Sequence, residues 1–295
     1  MTSTRSDGTT RTSLRLLPDL PELQLPAPVH RLVLTALLVA VALPTASLTL
    51  WDHGLLLGPP AMNGSARGTA LVVLVLGVPL VAVAGWLARR DRPAWSAAAA
   101  GGVAYLAYNA GLLTFATPFN RLFLLYVALL GLSAWTLLLW VLELVRQPVE
   151  PGRWSRPVAG WIAVVTAANL GLWLASIVPA VLGDQPEQVT AGLGVATNPV
   201  YAQDLALALP AAAVVALGLW RRRPWSTTAG AALTTFWVLE SVSVAVDQWL
   251  SAAADPTSNV VSADLVPGFL VLAATGCVPA ALLLRTAGLA AGSRP

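Results

Sequence analysis

Eight stretches of the chain are apolar almost without interruption, at about 31–50, 69–88, 94–116, 122–145, 158–182, 201–220, 225–250 and 265–284. A helix needs about 20 apolar residues to cross roughly 30 Å of hydrocarbon, and each stretch has about that length. The strands of an outer-membrane barrel would instead alternate apolar and polar residues, a pattern these runs do not show. The pattern predicts an all-α, polytopic transmembrane bundle of about eight helices. The beginning of the chain reads differently. Met1–Ser13 is rich in Ser, Thr and Arg, and Pro18, Pro21, Pro26 and Pro28 follow. The expected organisation is a flexible cytoplasmic tail over 1–30, a transmembrane domain over 31–285 and a short cytoplasmic tail over 286–295. The first apolar run starts too late and continues too long for a secretory signal.

Composition fits this layout. The 295 residues are 57% apolar and 11% charged, with a mean hydropathy of +0.72, whereas a soluble domain carries about 25% charged residues. Cys277 is the only cysteine, which excludes a disulfide scaffold. All 17 basic residues are arginine, which together with the Ala and Leu content reads as a GC-rich bacterial source. The net charge of +3 and pI near 9.6 do not point to nucleic acid, because the arginines sit in short loops rather than on one solvated face. Fifteen of the 17 fall on one side of an eight-crossing alternation: Arg5, Arg11, Arg15, Arg31, Arg89, Arg90, Arg92, Arg146, Arg153, Arg156, Arg221, Arg222, Arg223, Arg285 and Arg294. Only Arg67 and Arg121 fall on the other, with Asp52, Asp184, Glu187, Asp255 and Asp264. The positive-inside rule then puts both termini in the cytoplasm of a bacterial plasma membrane, with Arg90, Arg92, Arg221, Arg222 and Arg223 as topology anchors. Trp51, Trp86, Trp95, Trp140, Trp154, Trp220, Trp225 and Trp249 near the helix ends fit interfacial belts.

The chain also aligns with itself. A gap-free shift of 131 residues puts Pro79 on Pro210, Arg90 on Arg221, Arg92-Pro93 on Arg223-Pro224 and Ser96 on Thr227, with ten identities over residues 71–110. Four helices per half, about 31–147 and 158–285, give halves of one orientation, the parallel type of internal repeat. Proline at a first helical position costs no intrahelical bond, so the Arg-Pro junctions read as structural. Pro79 and Pro210 lie inside helices and predict matched kinks.

Ionisable groups inside the membrane cost about 2.5–3.5 kcal/mol each at a helix centre and are the candidate chemistry. The shift puts Asn109 on Glu240, each 16 residues beyond its Arg-Pro proline, roughly 24 Å along a helix. Asp204, 17 residues before Arg221, reaches a similar depth, and Asp247 lies seven residues beyond Glu240. Tyr105 and Tyr108 accompany Asn109. These six residues are expected to line a polar cavity for a cation, a proton or a polar head group. The alternative is that Asp204 and Asp247 snorkel to the interface while Glu240 bonds a neighbour such as Ser241 or Tyr108. Glu143 and Arg146 are spaced i,i+3 as an interfacial ion pair, Asn169 reads as helix–helix glue, and Cys277 as a packing residue. Gly101-Gly102 and Gly230–Ala232 permit close helix approach. His30 and His53 lie on opposite sides of the membrane, so no metal or cofactor is expected. No Walker, dinucleotide, HExxH or GxSxG motif occurs.

Two segments carry a resemblance. Tyr105-x-x-Tyr108-Asn109 with Phe119-Asn120-Arg121-Leu122-Phe123-Leu124-Leu125-Tyr126, and Asn198-Pro199-Val200-Tyr201-x-x-Asp204-Leu205 with Pro210 and Arg221-Arg222-Arg223-Pro224-Trp225, resemble a family of uncharacterised bacterial multipass membrane proteins. The resemblance implies this layout, attention to Asp204, Asn109 and Asn120, and no activity. Three functional classes stay open: a non-enzymatic membrane partner or accessory protein, with a membrane-protein partner or a second copy beside the lipid bilayer; a small proton- or cation-coupled transporter using Glu240, Asp204 and Asn109; and an intramembrane enzyme acting on lipid-linked substrates.

Overall fold

The computed structural model describes residues 28–90, 92–258 and 261–292. The tail expected over 1–30 lies outside them as far as residue 27, with its prolines 18, 21 and 26 and its three arginines, as does Arg294. The described chain is all-α, 82% helical and without strands. Its helices are α1 (Pro28–Trp51), α2 (Pro60–Arg90), α3 (Pro93–Ala116), α4 (Phe123–Arg146), α5 (Ser155–Leu182), the short α6 (Glu187–Thr190), α7 (Pro199–Trp220), α8 (Ser226–Ala254) and α9 (Val266–Gly292). Each apolar stretch read from the sequence is one of the eight long helices. Seven of those are long and apolar enough to cross a membrane. The eighth, α3, has 24 residues but is diluted by Gly, Tyr and Asn. It is also the most enclosed, with Ala97, Ala98, Ala99 and Ala100 all at 5% exposure or less. The helix expected to end near residue 285 runs on through Gly292.

Local sequence explains the boundaries. Pro60, Pro93 and Pro199 stand at first helical turns, where the missing N–H costs nothing. Asn198 caps α7 by accepting the Val200 N–H through its side chain at 3.1 Å, satisfying one of the orphan donors of a helix start. Pro79 and Pro210 are each preceded by one wide turn, Val73–Gly77 in α2 and Asp204–Ala208 in α7. The Val78 N–H bonds back to the Val73 carbonyl and the Leu209 N–H to the Asp204 carbonyl, five residues away in each case. A single π turn absorbs the donor that proline removes. The two wide turns stand 131 residues apart, the offset at which the sequence aligns with itself.

Helices α3 and α8 form the centre. They pack on each other, α3 also on α2, α4 and α9, and α8 on α2, α7 and α9. Close approach comes from glycine: a Cβ on Gly101 would lie 2.5 Å from the Ala232 carbonyl oxygen, one on Gly102 2.8 Å from Val81, and one on Gly230 2.9 Å from Leu219 and Leu283. Around this pair, α1 packs on α2 and α4, whereas α5 packs chiefly on α7.

The loops gather into two ends. At one, the Val149 N–H donates to the Pro224 carbonyl at 3.1 Å and Arg222, with a left-handed backbone (φ 54°), donates to the Pro151 and Gly152 carbonyls. Arg90, Arg92, Arg221, Arg222 and Arg223 are all exposed. At the opposite end Arg121 pairs with Asp52, and Arg67 reaches the His53 carbonyl at 3.5 Å.

Three expectations are corrected. Glu143 pairs with Arg31 across α1 and α4, not with Arg146. Arg31, only 4% exposed, stacks over Trp140 at 4.6 Å, and Gln147 donates to the other Glu143 oxygen at 2.6 Å. A buried guanidinium needs a carboxylate more than an exposed one does. Trp140 belongs to no interfacial belt: it is fully buried and its Nε1 donates to Thr35 at 3.2 Å. Cys277 is exposed on the bundle surface rather than packed inside.

Candidate functional site

The six candidate residues fall into one connected region around the inner faces of α3 and α8. Asn109, 1% exposed, donates through Nδ2 to Glu240 Oε2 at 2.9 Å and to the Tyr105 carbonyl at 3.0 Å. A carbonyl can only accept, so the Tyr105 bond fixes which way the amide points. The Asn109 Oδ1 then has no hydrogen-bond partner although it is buried. Glu240 is half-buried. It takes its bond from Asn109, 131 positions away, and not from Ser241 or Tyr108.

Asp204 sits where α3, α5 and α7 meet. It is 8% exposed, accepts from the Tyr108 hydroxyl at 3.0 Å and from Trp173 Nε1 at 2.7 Å, and has Asn169 beside it. It opens the wide turn of α7, whose extra residue turns it toward α3 and α5. The Tyr108 ring packs on Phe236 of α8 at 5.7 Å, which links the Asp204 region to α8. The Trp173 ring packs on Tyr201 at 4.7 Å.

Asp247, also 8% exposed, accepts a shared bond from the Thr69 hydroxyl at 3.1 and 3.2 Å. It does not snorkel, because Gly68 of α2 packs flat on its backbone. Tyr105 is fully buried and donates to Ser243 at 3.1 Å. Reasoning from sequence missed Thr69, Ser243 and Trp173, and it gave Asn169 only a packing role. The spacing of Asn169 and Trp173, four residues on one face of α5, was the available signal.

Three carboxylates thus lie inside the bundle without a counter-ion. Neither of the two ion pairs among the described residues involves one of them. Their hydrogen bonds come from neutral donors: an amide, two hydroxyls and an indole. No group of three or more His, Cys, Asp or Glu among the described residues could hold a metal ion. The arrangement suits a proton or a singly charged cation, for which one or two carboxylates and a carbonyl oxygen suffice. Above Asp204, toward the arginine-poor end, lies a groove of about 420 Å3 lined by Phe115, Ala196, Thr197, Pro199, Ala202, Gln203 and Leu207. Comparison with known proteins finds no matching family model, no matching curated protein and no matching solved structure.

Proposed function

We propose that this chain is a small proton- or cation-coupled transporter of the bacterial plasma membrane, with Asp204, Glu240 and Asn109 as its working site. The observation that carries the reading is the buried Asn109 Oδ1, an acceptor without a donor, beside a half-buried Glu240 within a cluster that has three acids and no base. Buried polar groups are ordinarily satisfied, and intramembrane carboxylates mark ion and proton paths by default. A cation would meet the orphan oxygen and the carboxylate together.

The internal repeat, with parallel halves, belongs to this proposal. Its support comes from details that recur at the offset of 131. The wide turns of α2 and α7 are one. Thr35 and Thr166 each bond the carbonyl four residues back, as do Thr45 and Ser176. Ser96 and Thr227 both hold a fully buried hydroxyl without a partner. Gly101 faces Ala232 and Asn109 faces Glu240. Equivalent residues meet at equal heights only when the two helices run parallel about an axis between them, as in a parallel coiled coil. The arginine-rich end is placed in the cytoplasm. The family resemblance carried by Tyr108-Asn109 and Asp204 remains part of the proposal and adds no activity to it.

The test uses the full chain in liposomes holding a pH-sensitive dye, with an imposed proton or sodium gradient. Wild type is expected to dissipate a gradient, and Glu240→Gln to abolish the flux while the protein stays monodisperse. Equal flux from Glu240→Gln and wild type, or none from wild type above empty liposomes, refutes the proposal. A second reading, a non-enzymatic membrane partner, is favoured by α5, whose Val164, Leu172, Val181 and Leu182 are 66% exposed or more. It predicts a stable complex with another membrane protein or a second copy in nanodiscs.

A further inference from the structure

The groove over Asp204 has a counterpart in the other half of the molecule, and the counterpart is shut. At the offset of 131, Pro199 of α7 corresponds to Gly68 of α2, and the end of α3 to the Asp247 region of α8. There α2 lies against α8 through Gly64 and Gly68. A Cβ on Gly64 would be 2.5 Å from the Leu250 carbonyl oxygen, and one on Gly68 2.7 Å from the Asp247 Cα. In the Asp204 half both walls are shorter. Helix α8 continues to Ala254, equivalent to residue 123, but α3 stops at Ala116. Helix α2 begins at Pro60, equivalent to residue 191, but α7 begins at Pro199. Two turns are missing from each wall, and the groove occupies the space.

The α3 face below the groove reads downward in steps. Phe115 borders the groove, Gly111 holds the Gln203 side chain, and Tyr108 bonds Asp204. Gln203 is therefore the floor between groove and carboxylate. Its amide nitrogen is buried and unpartnered, so no bond from Nε2 holds it in place. The side chain fits only because residue 111 lacks a Cβ, which would collide with Gln203 Oε1.

We infer that this groove is the vestibule of the Asp204 site and takes a singly charged, lipophilic organic cation, whose charge comes to face Asp204 when Gln203 swings off Gly111. The inference rests on the carboxylates being a working site. Three features choose the ligand class. The cluster holds three carboxyl groups and no base among their hydrogen-bond partners. Trp173 and Tyr108 donate to the carboxylate and Tyr201 packs on Trp173, and aromatic rings beside a site attract desolvated cations. The groove is apolar, and its volume lies within the range of pockets for small organic ligands, about 300–1,000 Å3.

The test is equilibrium binding of radiolabelled tetraphenylphosphonium to the full-length protein in nanodiscs, with choline as a small hydrophilic control. Wild type is expected to bind tetraphenylphosphonium and to bind choline at least tenfold more weakly. Asp204→Asn should reduce tetraphenylphosphonium binding at least tenfold. Ala202→Trp, at an exposed groove position, should do the same by filling the groove. Gly111→Ala should push Gln203 outward and raise the association rate several-fold. Tetraphenylphosphonium binding that Asp204→Asn abolishes but Ala202→Trp and Gly111→Ala leave unchanged overturns the vestibule and leaves the transporter reading standing. So does a lipid retained in native mass spectrometry that Ala202→Trp displaces and tetraphenylphosphonium does not. Wild type that carries Glu240-dependent ion flux but binds neither cation overturns the ligand class alone. Absence of both flux and binding overturns both readings.

Discussion

Gly64→Ala and Gly171→Ala are the same chemical change and should have opposite signs. At Gly64 the new methyl would stand 2.5 Å from the Leu250 carbonyl oxygen and 2.7 Å from the Ser251 Cα, about 1 Å inside van der Waals contact. Both atoms are backbone, so the conflict cannot be relieved by a rotamer: α2 and α8 must part by about that distance. A radial gap of 0.5–1 Å already forfeits a quarter to a half of each contact's attraction, and overpacking of this kind costs about 1–3 kcal/mol. The α2–α8 seam is among the most extensive in the molecule, so we expect the upper part of that range. At Gly171, on the outer face of α5, a Cβ meets nothing within 4 Å. There the only effect is the helix preference of Ala over Gly, a gain of about 0.5–1 kcal/mol. The assay is reversible unfolding in mixed micelles of rising denaturing-detergent fraction, followed by tryptophan fluorescence. Gly64→Ala should unfold at a lower fraction than wild type and Gly171→Ala at a higher one. Equal midpoints for the two variants would refute the seam.

Three further outcomes follow from the same geometry. Glu143→Ala leaves Arg31 buried and unpaired and should cost about 3–5 kcal/mol in the same assay, while the double variant Arg31→Met, Glu143→Leu should lie within about 1–2 kcal/mol of wild type; equal losses in both would count against the ion pair. Trp173→Phe removes the indole donor to Asp204, and the resulting loss of site organisation should weaken tetraphenylphosphonium binding several-fold with a stability change of only about 0.5–2 kcal/mol; a large unfolding shift without a binding change would contradict that placement. Exchanging the repeat partners, Asn109→Glu with Glu240→Asn, rebuilds one amide–carboxylate bond across the same contact and should restore folding yield that Asn109→Glu alone loses, as read by size-exclusion chromatography; no recovery in the double variant would show that the two positions are not equivalent.

The helices were legible because a membrane span needs length and apolarity, which the sequence displays directly. The short α6 was not, since four residues in a polar loop carry no period. The Asn109–Glu240 contact was legible only through the repeat offset: nothing local to either residue names the other. The carboxylates could be picked out because ionisable groups are costly in hydrocarbon. Their partners could not, because Thr69 looks like an ordinary hydroxyl that bonds its own helix, and an indole such as Trp173 within an apolar run names no acceptor. Arg31 shows the limit from the other direction. Its partner lies 112 positions away, while the nearer candidate, three residues from Glu143, satisfied every local rule. The Gly64-x-x-x-Gly68 spacing was present in the sequence as a close-packing motif and would have located the α2–α8 seam.

If the halves are repeats, as proposed above, they share a plan but not a duty. In the first, α1 is tied to α4 by the buried Arg31–Glu143 pair, with Trp140 and Thr35 completing the contact. The equivalent positions of the second half are Ile162, Ala274 and Val271, with Thr166 in the place of Thr35. The threonine survives, still bonded to its own helix, but the charges and the indole are gone and Val271 is 62% exposed. Each outer helix packs on the kinked helix of its half, α1 on α2 and α5 on α7, and on α5 Asn169 and Trp173 stand beside Asp204. Where the second half has Asp204 at the head of its wide turn, the first has Val73, buried and apolar. The absence of the ion pair and the presence of the carboxylate therefore fall in the same half. The half with the Arg31–Glu143 pair has its α2–α8 seam closed through Gly64 and Gly68, and the half without it has Trp173 of α5 at Asp204 and a groove above it.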